Sequence, residues 1–106
     1  MAKFMIQASY TADGLKGLQK DKASGRRAAV SAALEGIGGK LDGMYYALGD
    51  HDAVVIVDLP NTQAATALSV AVSASGLVHT KTTALLTVEE TDQALGKSIN
   101  YKPPGR

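Results

Sequence analysis

Residues 53–59 read Ala-Val-Val-Ile-Val-Asp-Leu, and only Asp58 interrupts the apolar run. A strand with one wet face alternates in polarity. An unbroken run implies cover on both faces, which is the condition of a central strand. Pro60 stops the run, and Asn61 is a capping residue for the helix that follows. Upstream, Gly49-Asp50-His51-Asp52 is a tight connection to a second strand over 40–48, Lys-Leu-Asp-Gly-Met-Tyr-Tyr-Ala-Leu. A hairpin ending in a buried central strand is therefore the middle of the fold.

The flanking segments complete a pattern. Over residues 3–10, Phe4, Ile6 and Ala8 alternate with Lys3, Met5, Gln7 and Ser9, a strand period with one strongly apolar face. Thr11-Ala12-Asp13-Gly14 breaks that strand, and Thr11 can cap a helical turn. Residues 16–27 hold Lys16, Lys20, Lys22, Arg26 and Arg27 against a single acid, Asp21, and read as a solvated loop and helix start or as an anion site. A helix is expected over about Ser24–Glu35, with Val30, Ala33, Leu34 and Ile37 as its buried stripe. Gly36, Gly38 and Gly39 end it.

Residues 62–75 form an Ala-rich helix closed by Gly76. It carries no charge, whereas a helix with a wet face normally carries Lys or Glu there. Part of its outer face is expected to meet another subunit. Residues 78–88 alternate as a fourth strand. Glu89, Glu90 and Asp92 open a short acid-first helix through about Leu95. The tail over 96–106, ending Tyr101-Lys102-Pro103-Pro104-Gly105-Arg106, reads as extended or as an arm laid on a partner.

The order βαββαβ, with short connections and right-handed crossovers, gives an α+β ferredoxin-like sandwich. Its antiparallel sheet has the order 4-1-3-2, with both helices on one face. Residues 1–95 form the single domain and 96–106 the tail. The other face of the sheet stays bare and wants a second sheet against it, as in a homodimeric α/β barrel.

Composition narrows the function classes. The 106 residues suit one domain, and 45% hydrophobic with 20% charged residues is an ordinary globular balance. Aromatics are only 5%, with Phe4 and four tyrosines and no Trp, which argues against a stacked flavin or haem. The absence of Cys excludes disulfides, thiolate metal sites and thiol catalysis. A net charge of +1 gives no field for non-specific nucleic-acid binding. No apolar run approaches a membrane span, and Met1-Ala2-Lys3-Phe4 lacks the apolar stretch of a signal peptide, so a cytoplasmic location is expected.

In this topology the end of strand 1, the 2–3 turn and the start of strand 4 lie at one edge. Tyr10, His51, Asp52 and His79 therefore share one end, with Arg26 and Arg27 near the departing crossover. His51 is a candidate general acid/base, with Asp52 as its orienting carboxylate or as a base. Asp52 has a plainer use as a turn residue that accepts backbone N–H groups. His79 and Lys81 share one strand face, where Lys81 can hold an anion. Tyr45 and Tyr46 point to opposite faces, so one packs and one lines a cavity; Tyr46 is taken as the ligand-facing one. Tyr10, Arg26, Arg27, Tyr46, His79 and Lys81 are thus the ligand-binding candidates. No metal-ligand spacing occurs, nor a G-x-S-x-G elbow, a P-loop or a G-x-G-x-x-G. Gly36-Ile37-Gly38-Gly39 ends a helix instead of opening one. No cofactor or metal is expected.

The segment Leu48-Gly49-Asp50-His51-Asp52-Ala53-Val54-Val55-Ile56 resembles the GYD domain family of small bacterial proteins. Tyr10-Thr11 with Gly14 just after, Pro60-Asn61 behind strand 3, and Ser75-Gly76 before strand 4 agree with it. The resemblance spans about residues 3–90 and implies a ferredoxin-like oligomer without implying a reaction. One departure is that His51 stands where the family's namesake Tyr is expected. A family chemistry that ran through that phenol's hydroxyl could not run the same way in this chain.

Three functional readings stay open on sequence alone. One is a homo-oligomer that binds a small molecule, anionic or carbonyl-bearing, at one end of the sheet. Another is a cofactor-independent enzyme, an oxygenase or isomerase, with His51 and Asp52 as acid/base. The third is a structural assembly subunit. The partners expected are a second copy of the chain and a small-molecule ligand, with no nucleic acid and no membrane.

Overall fold

The core forms where two strands share a face with one turn of each long helix. The computed structural model describes residues 1–106. Its elements are β1 (Ala2–Tyr10), α1 (Ala12–Gly36), β2 (Lys40–Tyr46), β3 (Ala53–Leu59), α2 (Thr62–Ala74), β4 (Val78–Leu85) and α3 (Val88–Leu95). The sheet order is β2-β3-β1-β4, which read from the opposite edge is the expected 4-1-3-2. All three pairings are antiparallel. β1 and β3 are central, as the apolar run over 53–59 required.

Strand parity fixes what is buried. Phe4, Ile6 and Ala8 of β1 face the helices beside Ala53, Val55, Val57 and Leu59 of β3. Leu34 of α1 and Ala65 of α2 close over them. The core is thin, with ten buried residues in the chain. The second face carries Met5, Gln7, Val54 and Ile56, all half-buried, with no layer of the same chain over it. At its far end Lys3 Nζ lies 2.9 Å from Asp58 and 3.0 Å from Asp42. Those two carboxylates, Asp58 foremost, hold the Lys3 ammonium above its ordinary pKa. A register shift between Leu41 and Gly43 places Asp42 at an irregularity in β2.

Several boundaries differ from the sequence expectation. α1 begins at Ala12, well before Ser24. Thr11 accepts a hydrogen bond from Gly14 N and starts the helix at the end of β1. The basic stretch that read as loop is thus helical on both sides of one break. At Lys22 the backbone takes φ 64 and ψ 168, and the helix kinks. Ala33, expected in the buried stripe, is exposed; Leu34 is buried, and Val30 and Ile37 pack against the core. β2 stops at Tyr46, short of Leu48. β4 stops at Leu85, short of Val88, because Thr87 is taken as the cap of α3. Asn61 caps α2 as read, accepting from Ala64 N at 2.9 Å.

Two glycines are demanded by geometry. A Cβ on Gly14 would collide with the Leu77 carbonyl oxygen, which also accepts from Thr11 N. Gly76 turns into β4 with φ +73.

Lys22 lies in a backbone region populated almost only by glycine, at a cost of about 1–3 kcal/mol. Lys22→Gly is therefore expected to raise the free energy of unfolding by about 1 kcal/mol, after the entropy cost of a glycine. Urea denaturation of the two proteins reads the difference; a destabilised variant would show that this backbone carries no strain.

Candidate functional site

The end of the sheet at Tyr10 is where the chain leaves β1, turns from β2 to β3, and enters β4. Each turn delivers polar side chains there. Asp52 Oδ2 accepts from Tyr10 N at 2.8 Å, and Asp52 N donates to Ala8 O at 2.8 Å. Ala47 N donates to Asp52 O at 2.9 Å. Asp52 thus staples the 2–3 turn to the end of β1. Its carboxylate faces a backbone amide, and the partner of His51 is Ser9, whose Oγ lies 3.3 Å from His51 Nδ1.

Strand parity then divides the sequence candidates between two faces. Ser9 pairs with His79, and Gln7 with Lys81, on the uncovered face. His51 reaches that face through Ser9. Tyr10 pairs with Val78 and Tyr46 with Ala53, on the helix-covered face. His51 and His79 share one side of the sheet end, while Tyr10, Tyr46 and Arg26 share the other. The single cluster expected from sequence is two clusters, back to back.

The helix-side cluster lies beside a cleft. A cleft of about 300 Å³ is lined by Tyr10, Arg26, Asp21, Leu18, Val72 and Leu77, among others. It lies between the first half of α1, the end of α2 and the start of β4. A second, of about 420 Å³, is lined by Ala23, Ser24, Arg27, Met44, Tyr45 and Tyr46. The Lys22 kink falls where the α1 linings meet: Leu18 and Asp21 of the first cleft precede it, Ala23, Ser24 and Arg27 of the second follow it, and Arg26 reaches back from beyond it to the first. Arg26 NH1 lies 3.8 Å from Asp21 Oδ2 across the kink. Arg27 has no acidic partner in the chain.

Tyr46 links the clefts. Burial pushes its phenol up to about 12, the Tyr10 phenol beside it adds to the rise, and the Arg26 charge opposes it. At neutral pH Tyr46 therefore stays protonated, a hydrogen-bond donor and not a base. Two phenols and two guanidiniums drawn from β1, β2 and α1 make a donor-rich surface. Such a surface suits an oxyanion.

Asp21 and Ser9 were missed as site residues. Asp21 was visible in sequence as the lone acid among five bases. Ser9 had no signal, since its contact with His51 spans the sheet end. No group of three or more His, Asp or Glu side chains gathers as a metal cage.

A family model described as GYD domain matches residues 4–95. That is most of the chain, and the chain belongs to this family. The comparisons with curated proteins and with solved structures found no match. No helix is long and apolar enough to cross a membrane.

The Tyr46 phenol gives a direct check. A phenol that holds its proton more tightly when folded costs no stability below pH about 10. It destabilises the fold as pH rises from there to about 12, because the unfolded chain releases that proton first. Ultraviolet titration of tyrosinate is expected to show one residue titrating near 12, absent from Tyr46→Phe. Ordinary titration of all four tyrosines would contradict the burial of that phenol.

Separately, Asp52→Ala is expected to lower stability by about 1.5–3 kcal/mol, the worth of a charge-assisted bond to an amide. Thermal unfolding of that variant reads the loss, and an unchanged midpoint would deny the staple.

Proposed function

We propose that the protein is a homo-oligomer that binds a small anionic molecule on the helix side of the sheet end. The observation that carries this reading is the convergence of Tyr10, Tyr46 and Arg26 from three separate elements beside the clefts. Arg26 supplies charge, and Arg27 a second charge without an internal partner. The protonated Tyr46 phenol supplies a donor. The apolar walls, Leu18, Val72 and Leu77, accept a short carbon skeleton. A small carboxylate or phosphate monoester has that combination of an oxyanion and a compact body.

Association supports the same reading. The uncovered sheet face presents Met5, Val54 and Ile56 in its middle, framed by the Lys3–Asp58–Asp42 ion group and by Gln7 and Lys81. An apolar centre with a polar frame is the anatomy of a protein interface. Two such faces packed together make a dimeric α/β barrel and bury the apolar strip twice. Helix α2 adds an uncharged outer face with Val70 62% exposed, which favours further contact between subunits.

The enzymatic alternative rests on a different cluster. The Ser9 hydroxyl 3.3 Å from His51 Nδ1 is a polar pair able to exchange a proton with a bound molecule. Lys81 lies on the same face to stabilise an enolate. Asp52 lends little to this reading, since its Oδ2 is held by the Tyr10 amide.

Calorimetric titration with a panel of small carboxylates and phosphate monoesters tests the binding reading. Saturable binding by at least one member is expected, weakened about 10-fold or more by Arg26→Ala and left unchanged by His51→Ala. An absence of binding across the panel at millimolar concentration would contradict the proposal. So would binding that ignores Arg26→Ala. Binding or turnover lost with His51→Ala would favour the enzymatic reading.

A further inference from the structure

The chain beyond β4 is built like a docking segment and docks on nothing within its own chain. α3 starts with a complete capping box: Thr87 Oγ1 accepts from Glu90 N at 3.1 Å, and Glu90 Oε1 from Thr87 N at 2.9 Å. The bonds from Thr87 hold the Glu90 carboxyl below its ordinary pKa. Val88 and Leu95 fall seven residues apart, on one face of the helix. Yet no residue of α3 is buried, and Leu86, Val88, Leu95, Ile99 and Tyr101 are 65–78% exposed. An isolated helix of this length does not hold together in water without tertiary packing. The radius of gyration is 16.9 Å, against about 13 Å for a compact domain of this size, and the long axis is 57 Å.

We propose that residues 86–106 form an arm that crosses to a second copy of this chain, with its acidic helix α3 lying along the partner's α1 over the basic segment 16–27. The inference rests on the association of two copies proposed above. Three observations select the target. First, β2 and β4 are the sheet edges, and each leaves one side unpaired. A closed two-copy arrangement that covers every edge can set β4 of one copy beside β2 of the other. The arm leaves from β4, and α1 packs chiefly on β2, so this arrangement brings arm and α1 together. Second, the charges of α3 match, and the arm's own cations, Lys97, Lys102 and Arg106, all lie beyond that helix. Glu89 and Asp92 on α3 have no basic partner in the chain, and Lys20, Lys22 and Arg27 on α1 have no acidic one. Pairing β4 with β4 would instead leave both sets unmatched. Third, the arm reaches far enough. Helix α3 spans about 12 Å and the eleven residues after it up to about 35 Å, more than the width of a helix layer. Docked there, the arm lies alongside the kink at Lys22 and the residues that line the clefts.

The chain has no cysteine, so introduced thiols report on one pair of positions alone. Gln93→Cys places a thiol on α3, and Gln19→Cys places one on α1; both positions are exposed and outside the clefts. The two full-length variants are mixed, left to exchange and oxidised, with the mass of each assembly followed by sedimentation. A disulfide joining one chain of each kind is expected, at a yield lowered at least about 5-fold by Glu89→Lys with Asp92→Lys in the arm-bearing chain. The double variant that carries both thiols on one chain is expected to cross-link between chains and not within one. A dimer with no mixed disulfide, or a disulfide confined within a chain, would overturn the arm and leave the dimer standing. A monomer at all concentrations would overturn both.

Discussion

The structure depends on one constraint: a four-stranded sheet has two faces, and this chain covers only one of them. The helix side is sealed by Leu34 of α1 and Ala65 of α2 over Phe4, Ile6, Val55, Val57 and Leu59. These residues are mostly small or aliphatic, so each contributes modestly and close approach of the helices is required. Gly14, pressed against the Leu77 carbonyl, is one place where that approach is enforced. The opposite face has its own apolar strip, Met5, Val54 and Ile56, half-buried for want of a second layer. The run over 53–59 is apolar on both sides: one side enters the core within the chain, and the other lies on the uncovered face.

The candidate site follows from the same sheet. Both crossovers and the hairpin meet at the Tyr10 end, so polar side chains from four strands crowd there. The pleat then sorts them. Odd and even positions go to opposite sides, which separates the Ser9–His51 pair from the Tyr10–Tyr46–Arg26 cluster. Asp52 serves neither cluster as a free carboxylate, since it holds the turn to β1. The strained backbone at Lys22 lies between Asp21, which lines one cleft, and Ala23, which lines the other.

Much of the fold was legible in the sequence, and the reasons for success and failure are physical. β1 and β3 were readable because a period of two matches the pleat, and a short apolar run bounded by turns matches a strand covered on both sides. Thr11 and Asn61 were readable as caps because a short side-chain oxygen there satisfies a free amide. The first half of α1 was not readable. Between Ala12 and Asp21 only Leu15 and Leu18 are large apolar residues, too few for a stripe, and Lys and Gln signal helix and loop alike. The kink had no signature, because Lys at positive φ is dictated by packing and not by local preference. For the site, the shared sheet end was legible from strand direction. The division between faces depended on register at the strand ends, where His51 lies outside the ladder and its parity is set by the turn.

The central claim is that the uncovered face is closed by a second copy of the chain. Native mass spectrometry of the full-length protein, with the same sample run denatured, tests it most directly. The account predicts an assembly of two or a larger even number of 10.9 kDa chains, carrying extra mass lost on denaturation if a ligand is retained. A single chain at all working concentrations would contradict it, because Met5, Val54 and Ile56 would then face water with no partner.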